Sequence, residues 1–235
     1  MVLHLAAGAL LATHIGGAAV GMASGVVAIA ARKGSRAHRW AGKVFFAAML
    51  AMTIVAAGTA PFVVDAGRWI NMGAGIFTFY LVASGWAAVR RPVAGSGRID
   101  AALVAAPLIV IGLAAMMTVA DWGGPQSGEN APLYIFALVS AIAAACDLGV
   151  IRKGGVVGGR RIARHLWRMG LALAIALGSF AGQPKAIPRE FQGPWTIIPM
   201  LIVLVLMLYW LVRYSAPGLF RRRAARAVSA AGAPS

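Results

Sequence analysis

Two histidines of this sequence stand in two copies of one short motif, and their chemistry suits metal ligation. The run Arg-Lys-Gly at 32–34 is followed by His38, and the same run at 152–154 is followed by His165. Each histidine lies two residues before a tryptophan, where one apolar stretch gives way to the next. Two neutral imidazoles from different helices at one depth can be axial ligands of a haem iron. The pair therefore predicts a b-type haem held by His38 and His165.

The arginines near these histidines fit more than one role. Around a haem, Arg39, Arg161 and Arg168 would pair with the propionates. Alternatively, Arg161, Arg164, His165 and Arg168 share one face of a helix, where guanidinium groups can bind a phosphate or carboxylate. Such a cluster would hold an anionic lipid headgroup or form the cytoplasmic mouth of an anion path. A third interpretation places both histidines at the headgroup boundary, bonded to loop carbonyls or lipid phosphate, without a dedicated site.

Three further polar residues are candidates. Asp147 is the only acid within an apolar span, and an acid in that position is by default a functional candidate. We expect it to form an ion pair with Arg152, and it could also orient His165 as a hydrogen-bond acceptor. His14 and Tyr134 occupy corresponding positions before the two motif copies, eighteen residues ahead of the first arginine of each. As a pair they could pass protons or bind a quinone, and as single residues they would be ordinary interfacial side chains.

Composition bounds the class of protein. Apolar residues make up 60% of the chain and charged residues only 12%, with a mean hydropathy of +0.80. These values exclude an ordinary soluble domain. The single cysteine, Cys146, excludes an internal disulfide, and we expect it to be a small buried residue. The sequence also lacks a paired-carboxylate, nucleotide-loop or two-histidine metal motif, so hydrolase or transferase chemistry is not supported.

Apolar stretches of about twenty residues recur along the chain, the length needed to cross a hydrocarbon core as a helix. They predict an all-α, polytopic helical bundle with about seven transmembrane helices. The predicted spans are 7–31, 41–61, 69–89, 101–121, 131–151, 167–183 and 195–213.

The basic residues orient this bundle. All but three of the 22 lysines and arginines fall in the loops after spans one, three and five, just beyond those loops, or in the C-terminal tail. The positive-inside rule then places the N-terminus outside and the C-terminus in the cytoplasm. The net charge of +16 is thereby explained by topology and anionic lipid contact, with no nucleic acid as partner. The tryptophans agree, because all seven fall at predicted span ends.

Smaller residues predict local features of the helices. Gly17, Gly21 and Gly25 recur at intervals of four, which lets two transmembrane backbones approach closely. Pro107 and Pro199 lie inside predicted spans and should bend them. Spans one to three and five to seven run in the same directions, so a parallel internal repeat is geometrically allowed.

The two motif copies also carry a family resemblance. With Arg-Lys-Gly at 32–34, His-Arg-Trp-Ala-Gly at 38–42 and Arg-His-Leu-Trp-Arg-Met-Gly at 164–170, the chain resembles the bacterial membrane proteins catalogued as domain of unknown function 2306. The resemblance extends from His14 through span seven. It implies a polytopic helical protein of the bacterial cytoplasmic membrane, and it implies no established activity.

The sequence thus predicts one transmembrane domain over residues 1–215 and a basic cytoplasmic tail over residues 216–235. Its specific functional hypothesis is a membrane redox protein that binds haem b through His38 and His165. The alternative is a non-catalytic transporter or a lipid- or anion-binding protein that uses the cytoplasmic arginines and histidines. Homo-oligomers, a redox partner and a transported substrate are left open.

Overall fold

The computed structural model describes residues 2–62, 67–90, 98–120, 131–183 and 187–215, with side chains for all of these except 2–7 and 98. The predicted tail, 216–235, lies outside the described residues. Over the described ranges the chain is helical and contains no strand. Its α-helices are α1 (Val2–Ala30), α2 (Arg36–Thr59), α3 (Arg68–Arg90), α4 (Arg98–Leu103), α5 (Ala105–Ala120), α6 (Ala131–Arg152), α7 (Gly158–Ala181) and α8 (Ile198–Ser215). Short 3₁₀ turns at Ala60–Phe62, Arg189–Phe191 and Pro194–Ile197 complete the path.

Six helical segments within the described residues are long and apolar enough to cross a membrane, which supports the multi-pass membrane character predicted from composition. They are α1, α2, α3, α4 with α5, α6, and α8. Their outward faces are apolar as well: Val119, Val205 and Leu138 are each more than half exposed. Apolar side chains covering the outside of a bundle are suited to contact with lipid and not with water.

The sixth predicted span, 167–183, is a helix of a different kind. Helix α7 starts at Gly158, nine residues before the apolar segment predicted at 167, and its first half carries four arginines and a histidine. Apolarity alone therefore underestimated its length. Arginine is a good helix former, and polar side chains are tolerated inside a bundle when other buried groups bind them.

Helices α3 and α7 form the middle of the bundle. Helix α3 packs on α2, α5, α6 and α7, and α7 packs on α8 and along α3. The main core lies between them and contains Phe77, Leu81, Leu173 and Met49. A smaller cluster around Leu133 joins α5 and α6 to the start of α3.

Glycines set the closest helix crossings, as their spacing in α1 predicted. A Cβ at Gly17 would lie 3.0 Å from the Ala48 carbonyl oxygen on α2, and one at Gly21 would lie 2.8 Å from the Met49 sulfur. The predicted tight crossing of α1 with a neighbour is therefore confirmed, and the neighbour is α2.

The two prolines behave differently. The helix is interrupted at Val104, three residues before Pro107, at the turn that the proline ring crowds, which is where the predicted bend should lie. The predicted bend at Pro199 is wrong. Pro199 is the second residue of α8 and follows a 3₁₀ turn, so it occupies the first turn of a helix, where a missing N–H costs little.

One end of the bundle collects the basic residues, and we call it the basic end. There α1, α3 and α6 end, and α2, α4 and α7 begin. Side-chain contacts tie these termini together: the Lys33 ammonium lies over the Trp210 ring, and Arg161 donates to the Val89 carbonyl.

The two motif copies share a turn but not their packing. Gly34 and Gly154 both adopt positive φ angles, +79° and +70°, which glycine accepts without strain after a helix end. Helix α1 then packs along most of α2, whereas the backbones of α6 and α7 stay apart. A cleft occupies the space between α6 and α7.

Candidate functional site

A buried carboxylate on α6 is the centre of the polar site. Asp147 is fully buried, and its side chain accepts hydrogen bonds from three residues on two other helices. The Tyr80 hydroxyl on α3 donates to Oδ2 at 2.6 Å. Arg164 and Arg168 on α7 both donate to Oδ1 through Nη2, Arg164 at 3.0 Å. An acid that would otherwise be prohibitively costly to bury is thereby neutralised and hydrogen-bonded.

The arginines extend the site to further elements. Arg164 Nη2 also donates to Asp100 Oδ1 on α4 at 3.2 Å. Arg168 Nη2 also donates to the Tyr80 hydroxyl at 3.1 Å, and its guanidinium lies 5.1 Å above the ring of Tyr80. Helices α3, α4, α6 and α7 are thus joined by one network, which we call the Asp147 network: Tyr80, Asp100, Asp147, Arg164 and Arg168.

Hydrogen-bond donors exceed acceptors in this network. Arg168 is fully buried and Arg164 is 9% exposed. Yet Nε of Arg164, and both Nε and Nη1 of Arg168, are buried without a hydrogen-bond partner among the described residues. The ring of Trp167 lies 5.1 Å from the Arg168 guanidinium and attracts it by a cation–π interaction, but the ring does not accept a hydrogen bond as an oxygen does. Buried donors of this kind require an acceptor, because leaving them unpaired costs about 1–3 kcal/mol each or more.

Arg164 and Arg168 are also among the residues that line a cleft, which we call the α6–α7 cleft. It has a volume of about 270 Å³ and is bounded by Cys146, Asp147 and Val150 on α6, Arg160, Trp167 and Arg168 on α7, and Leu211 on α8. Its lining therefore combines mostly apolar side chains with three arginines. Cys146 is exposed here, so the prediction that it is a buried residue is wrong.

The cleft reaches into the bundle from the basic end. Asp147 lies five residues before the end of α6, or about 7 Å at the rise of an α-helix. Arg168 lies ten residues into α7, or about 15 Å from its start. A group entering from the basic end would therefore meet Arg160 and then the buried pair Arg164 and Arg168.

The predicted common face of α7 is divided in the structure. Arg164 and Arg168, four residues apart, face Asp147. Arg161 and His165, also four apart, face α3, where Arg161 donates to the Val89 carbonyl at 3.3 Å. The shared-face prediction was wrong for this half, because Arg161 and His165 bond to α3 while Arg164 and Arg168 reach Asp147 on α6.

Asp147 does form the ion pair expected of it, but the predicted partner was wrong. It pairs with Arg164 and Arg168 on the following helix and not with Arg152, the nearest arginine in sequence. It also does not orient His165, whose Nδ1 lies 2.9 Å from the Gly85 carbonyl on α3. Proximity along the chain was a poor guide, since Arg152 lies at the basic end while Asp147 points into the bundle.

The two motif histidines are anchored in the same way on different helices. His38 Nδ1 lies 2.9 Å from the Ala28 carbonyl of α1, matching the His165–Gly85 distance. Because a carbonyl only accepts, each Nδ1 donates in these hydrogen bonds, and in the neutral ring Nε2 is then the acceptor atom. Bonding of both histidines to main-chain carbonyls agrees with the interpretation that needs no site, although the carbonyls belong to helices and not to loops.

His38 and Lys33 act electrostatically on His165. Burial lowers the pKa of His165, which precedes the apolar half of α7; the hydrogen bond with Gly85 raises it, and repulsion by His38 and Lys33 lowers it further. Burial also lowers the pKa of Lys33, in the turn between α1 and α2, where its ammonium donates to the Ala28 and Ile29 carbonyls. That His38 and His165 lie at one depth, as ligands of one haem would, stays a prediction.

The remaining candidates lie elsewhere. Arg39 donates to the Gly34 carbonyl of its own turn. His14 Nδ1 lies 3.3 Å from the Met52 carbonyl of α2. Tyr134 packs in the small cluster around Leu133. The structure does not bring His14 and Tyr134 together.

Sequence reasoning missed two members of the Asp147 network. Tyr80 is the only tyrosine in the middle of a predicted span, and a hydroxyl placed that deeply requires a partner. Asp100 stands one residue before predicted span four, so it was not considered as an acid within a span. The available signal was Asp147 itself: a buried acid needs cations, and Arg164 and Arg168 are two cations four residues apart on the following helix.

No protein-family model, no curated protein and no solved structure matches this chain. The function therefore has to be inferred from the geometry alone.

Proposed function

We propose that this chain is a multi-pass protein of the bacterial cytoplasmic membrane that binds a phosphate-bearing anion in the α6–α7 cleft. The observation that carries this proposal is Arg168: it is fully buried, it lines the cleft, and two of its three nitrogens have no hydrogen-bond partner among the described residues. A phosphate or phosphodiester supplies two or more acceptor oxygens, and a planar guanidinium can donate to two of them at once. The role is binding or transport and not catalysis.

The walls of the cleft favour an amphiphilic anion. Trp167, Val150 and Leu211 provide apolar surface beside the arginines. A phospholipid headgroup would bring its phosphate to Arg164 and Arg168 and leave its chains on the apolar exterior. A free phosphate ester would use the same donors, so the shared chemistry is the phosphate group.

The membrane orientation belongs to the same proposal. We place the N-terminus outside, the C-terminus in the cytoplasm and the apolar half of α7, from Trp167, as the sixth of seven spans, because the basic end gathers the arginines that the positive-inside rule assigns to the cytoplasm. Anionic lipids of the inner leaflet are then the partners nearest the cleft. The resemblance to domain of unknown function 2306 rests on the motif residues alone, so it stays an expectation and adds no activity.

Binding is tested with dimethyl phosphate, the phosphodiester head of a phospholipid without its chains. Protein stripped of lipid in detergent is titrated with this anion, and parallel samples are placed in nanodiscs with and without phosphatidylglycerol. Saturable binding of dimethyl phosphate supports a site for the phosphate group itself. Enrichment of phosphatidylglycerol on the purified protein identifies the lipid as the source.

The matched variants are Arg168→Lys and Arg39→Lys. Lysine at 168 keeps the charge but removes the planar fork, so we expect at least tenfold weaker binding. Arg39 lies at the same end of the bundle but donates to the carbonyl of its own turn, so the same exchange there should leave binding unchanged. Equal binding by both variants would contradict the proposal.

A second candidate function is favoured by the Nε2 atoms of His38 and His165, which form no hydrogen bond with the described residues. Histidines that ligate metals commonly donate their other ring N–H to a carbonyl, as both do here. A b-type haem would then be held by these two Nε2 atoms and would supply one-electron redox chemistry. Arg39 and Arg161 donate to main-chain carbonyls and Arg168 lies in the Asp147 network, so the propionate partners assigned to them would need other hydrogen bonds.

A further inference from the structure

Helix α7 has neighbours on three of its sides. Arg168 reaches Asp147 on α6, whereas a Cβ at Gly170 would lie 2.8 Å from the Met207 side chain on α8. Two residues turn an α-helix by about 200°, so α6 and α8 stand on opposite flanks of α7. Helix α3 covers the side between these flanks that carries His165. The remaining side faces outward between α6 and α8, which do not pack on each other among the described helices.

This open side of α7 is charged at one end and apolar along the rest. Arg160 and Trp167, seven residues apart on one stripe of the helix, both line the cleft. Leu171 continues the stripe away from the basic end and is partly buried. From Arg168 to its end at Ala181, α7 carries no further charged residue over about 20 Å. An apolar path of that length exceeds half the hydrocarbon thickness of a bilayer, which is about 15 Å.

Helices α6 and α8 form apolar walls beside this path. On α6, Ile142 lies one turn before Cys146, and both are exposed. On α8, the exposed Leu208 lies about one turn before Leu211. Cys146 and Leu211 also line the cleft, so the cleft continues sideways into the space between the two walls. We call this space the α6–α8 groove, and its residues are Ile142, Cys146, Trp167, Leu171, Leu208 and Leu211.

The cleft and the groove suit the two parts of one amphiphile. The lining of the cleft holds three arginines and one acid, Asp147. Arg164 and Arg168 have buried nitrogens without a hydrogen-bond partner among the described residues, and guanidinium groups bind phosphodiesters. The groove beside them is apolar and open to the outside of the bundle, so an acyl chain is the complementary occupant.

We infer that the ligand of the cleft is a glycerophospholipid that enters sideways from the membrane, between α6 and α8. Its phosphodiester binds at the arginines of the cleft, and one acyl chain lies in the α6–α8 groove. This inference rests on the proposed anion site and names the ligand class of that site. A soluble phosphate ester would occupy the charged end alone and leave the groove empty.

Two ligands with the same head test the inference. Dihexanoyl phosphatidylglycerol carries two short acyl chains, and glycerophosphoglycerol is the same phosphodiester without them. Each is titrated against protein that has been stripped of lipid in detergent. Because each buried methylene group adds to the affinity, we expect the diacyl ligand to bind at least about tenfold more tightly.

Variants at the rims of the groove separate chain binding from partition into detergent. Ile142→Trp with Leu208→Trp fills the groove and leaves the arginines in place. We expect the diacyl ligand to bind about tenfold more weakly to this variant and glycerophosphoglycerol to bind as before. The matched control is Ile109→Trp with Leu11→Trp, on α5 and α1, where the exposed fractions are 52% and 59%, against 55% and 54% at the groove. This control should leave both affinities unchanged.

A photoreactive lipid locates the acyl chain in the unmodified protein, so the inference stays testable if the groove variant does not fold. Phosphatidylglycerol with a diazirine on one chain is irradiated with the protein in phosphatidylcholine nanodiscs. Excess unlabelled phosphatidylglycerol should reduce the labelling of α6 and α8 and not that of α1 and α5.

Equal affinity for the two ligands, equal loss in the groove variant and its control, or labelling of α6 and α8 that is not competed would overturn the lipid assignment. Binding of glycerophosphoglycerol in such a case leaves the anion site standing. Absence of binding by both ligands would overturn the anion site and the lipid assignment together.

Discussion

The Tyr80 hydroxyl donates a 2.6 Å hydrogen bond to Asp147 Oδ2. The two residues are 67 positions apart in the chain, and their contact joins α3 to α6. This contact and the two arginines on the other carboxylate oxygen make Asp147 the point where α3, α6 and α7 meet. The backbones of α6 and α7 approach little. Their connection in the structure is therefore mainly electrostatic, and it borders the cleft that we assign to an anion.

Removing the carboxylate should destabilise the protein strongly. In Asp147→Ala, Arg168 loses its buried counterion and Arg164 keeps only Asp100, and we expect a loss of about 3–5 kcal/mol in the free energy of unfolding. The double variant Asp147→Asn with Arg168→Gln removes one charge of each sign and should lose much less. Denaturant titration in detergent checks both. Equal losses would show that the charges do not carry the connection between α6 and α7.

Close packing of α2 on α3 should depend on Gly75. A Cβ at this position would lie 2.9 Å from the backbone nitrogen of Ala57, which cannot move aside as a side chain can. Gly75→Ala should therefore cost about 1–3 kcal/mol, which thermal unfolding would detect. Gly112→Ala is the control, since its Cβ meets nothing within 4 Å. That exchange should be neutral or stabilise by up to about 1 kcal/mol, and a loss there equal to that of Gly75→Ala would contradict the packing argument.

Acid should weaken the bundle through His165. Burial lowers the pKa of His165 below its usual value of 6.5, so the unfolded chain binds a proton at higher pH than the folded chain does. Stability from this residue is complete above about pH 6.5 and declines as the pH falls from there through the folded pKa. Unfolding of the unmodified protein and of His165→Gln should thus diverge below neutrality. Parallel pH profiles would show that His165 is not the group responsible.

The haem hypothesis makes a spectroscopic prediction. Protein expressed with haem available should show a Soret band that shifts on dithionite reduction and is lost in His38→Ala and in His165→Ala. His14→Ala should keep the band, because His14 lies on α1 away from the basic end and contacts the Met52 carbonyl of α2. A colourless preparation would remove this candidate and leave the anion site unaffected.

The sequence predicted the spans well, because their apolarity is a local property. The predicted bounds of spans five and three lie within one residue of the observed ends of α6 and α3. It placed the start of span six nine residues late, since the arginines of α7 look like a loop when their partners are unknown. Those partners lie on α3, α4 and α6, and no spacing within α7 could reveal them.

The candidate site was predicted only in part for the same reason. Asp147 was singled out because an acid in an apolar span is costly, and that argument needs one residue only. Its pairing with Arg168 and Tyr80 depends on how three helices pack, so the nearer Arg152 was chosen incorrectly. Of the two motif histidines, His165 lies on the side of α7 that faces α3 and not the cleft.

The most direct test of the anion site uses the chain's only cysteine, Cys146, which is exposed on the wall of the cleft. The rate of Cys146 modification by a small maleimide is measured with increasing dimethyl phosphate, in the unmodified protein and in Arg168→Lys. An anion bound beside Arg168 should slow modification in a saturable way in the unmodified protein, and the protection should be lost in Arg168→Lys. Modification rates that do not change with dimethyl phosphate, or that change equally in both proteins, would contradict an anion site in the α6–α7 cleft.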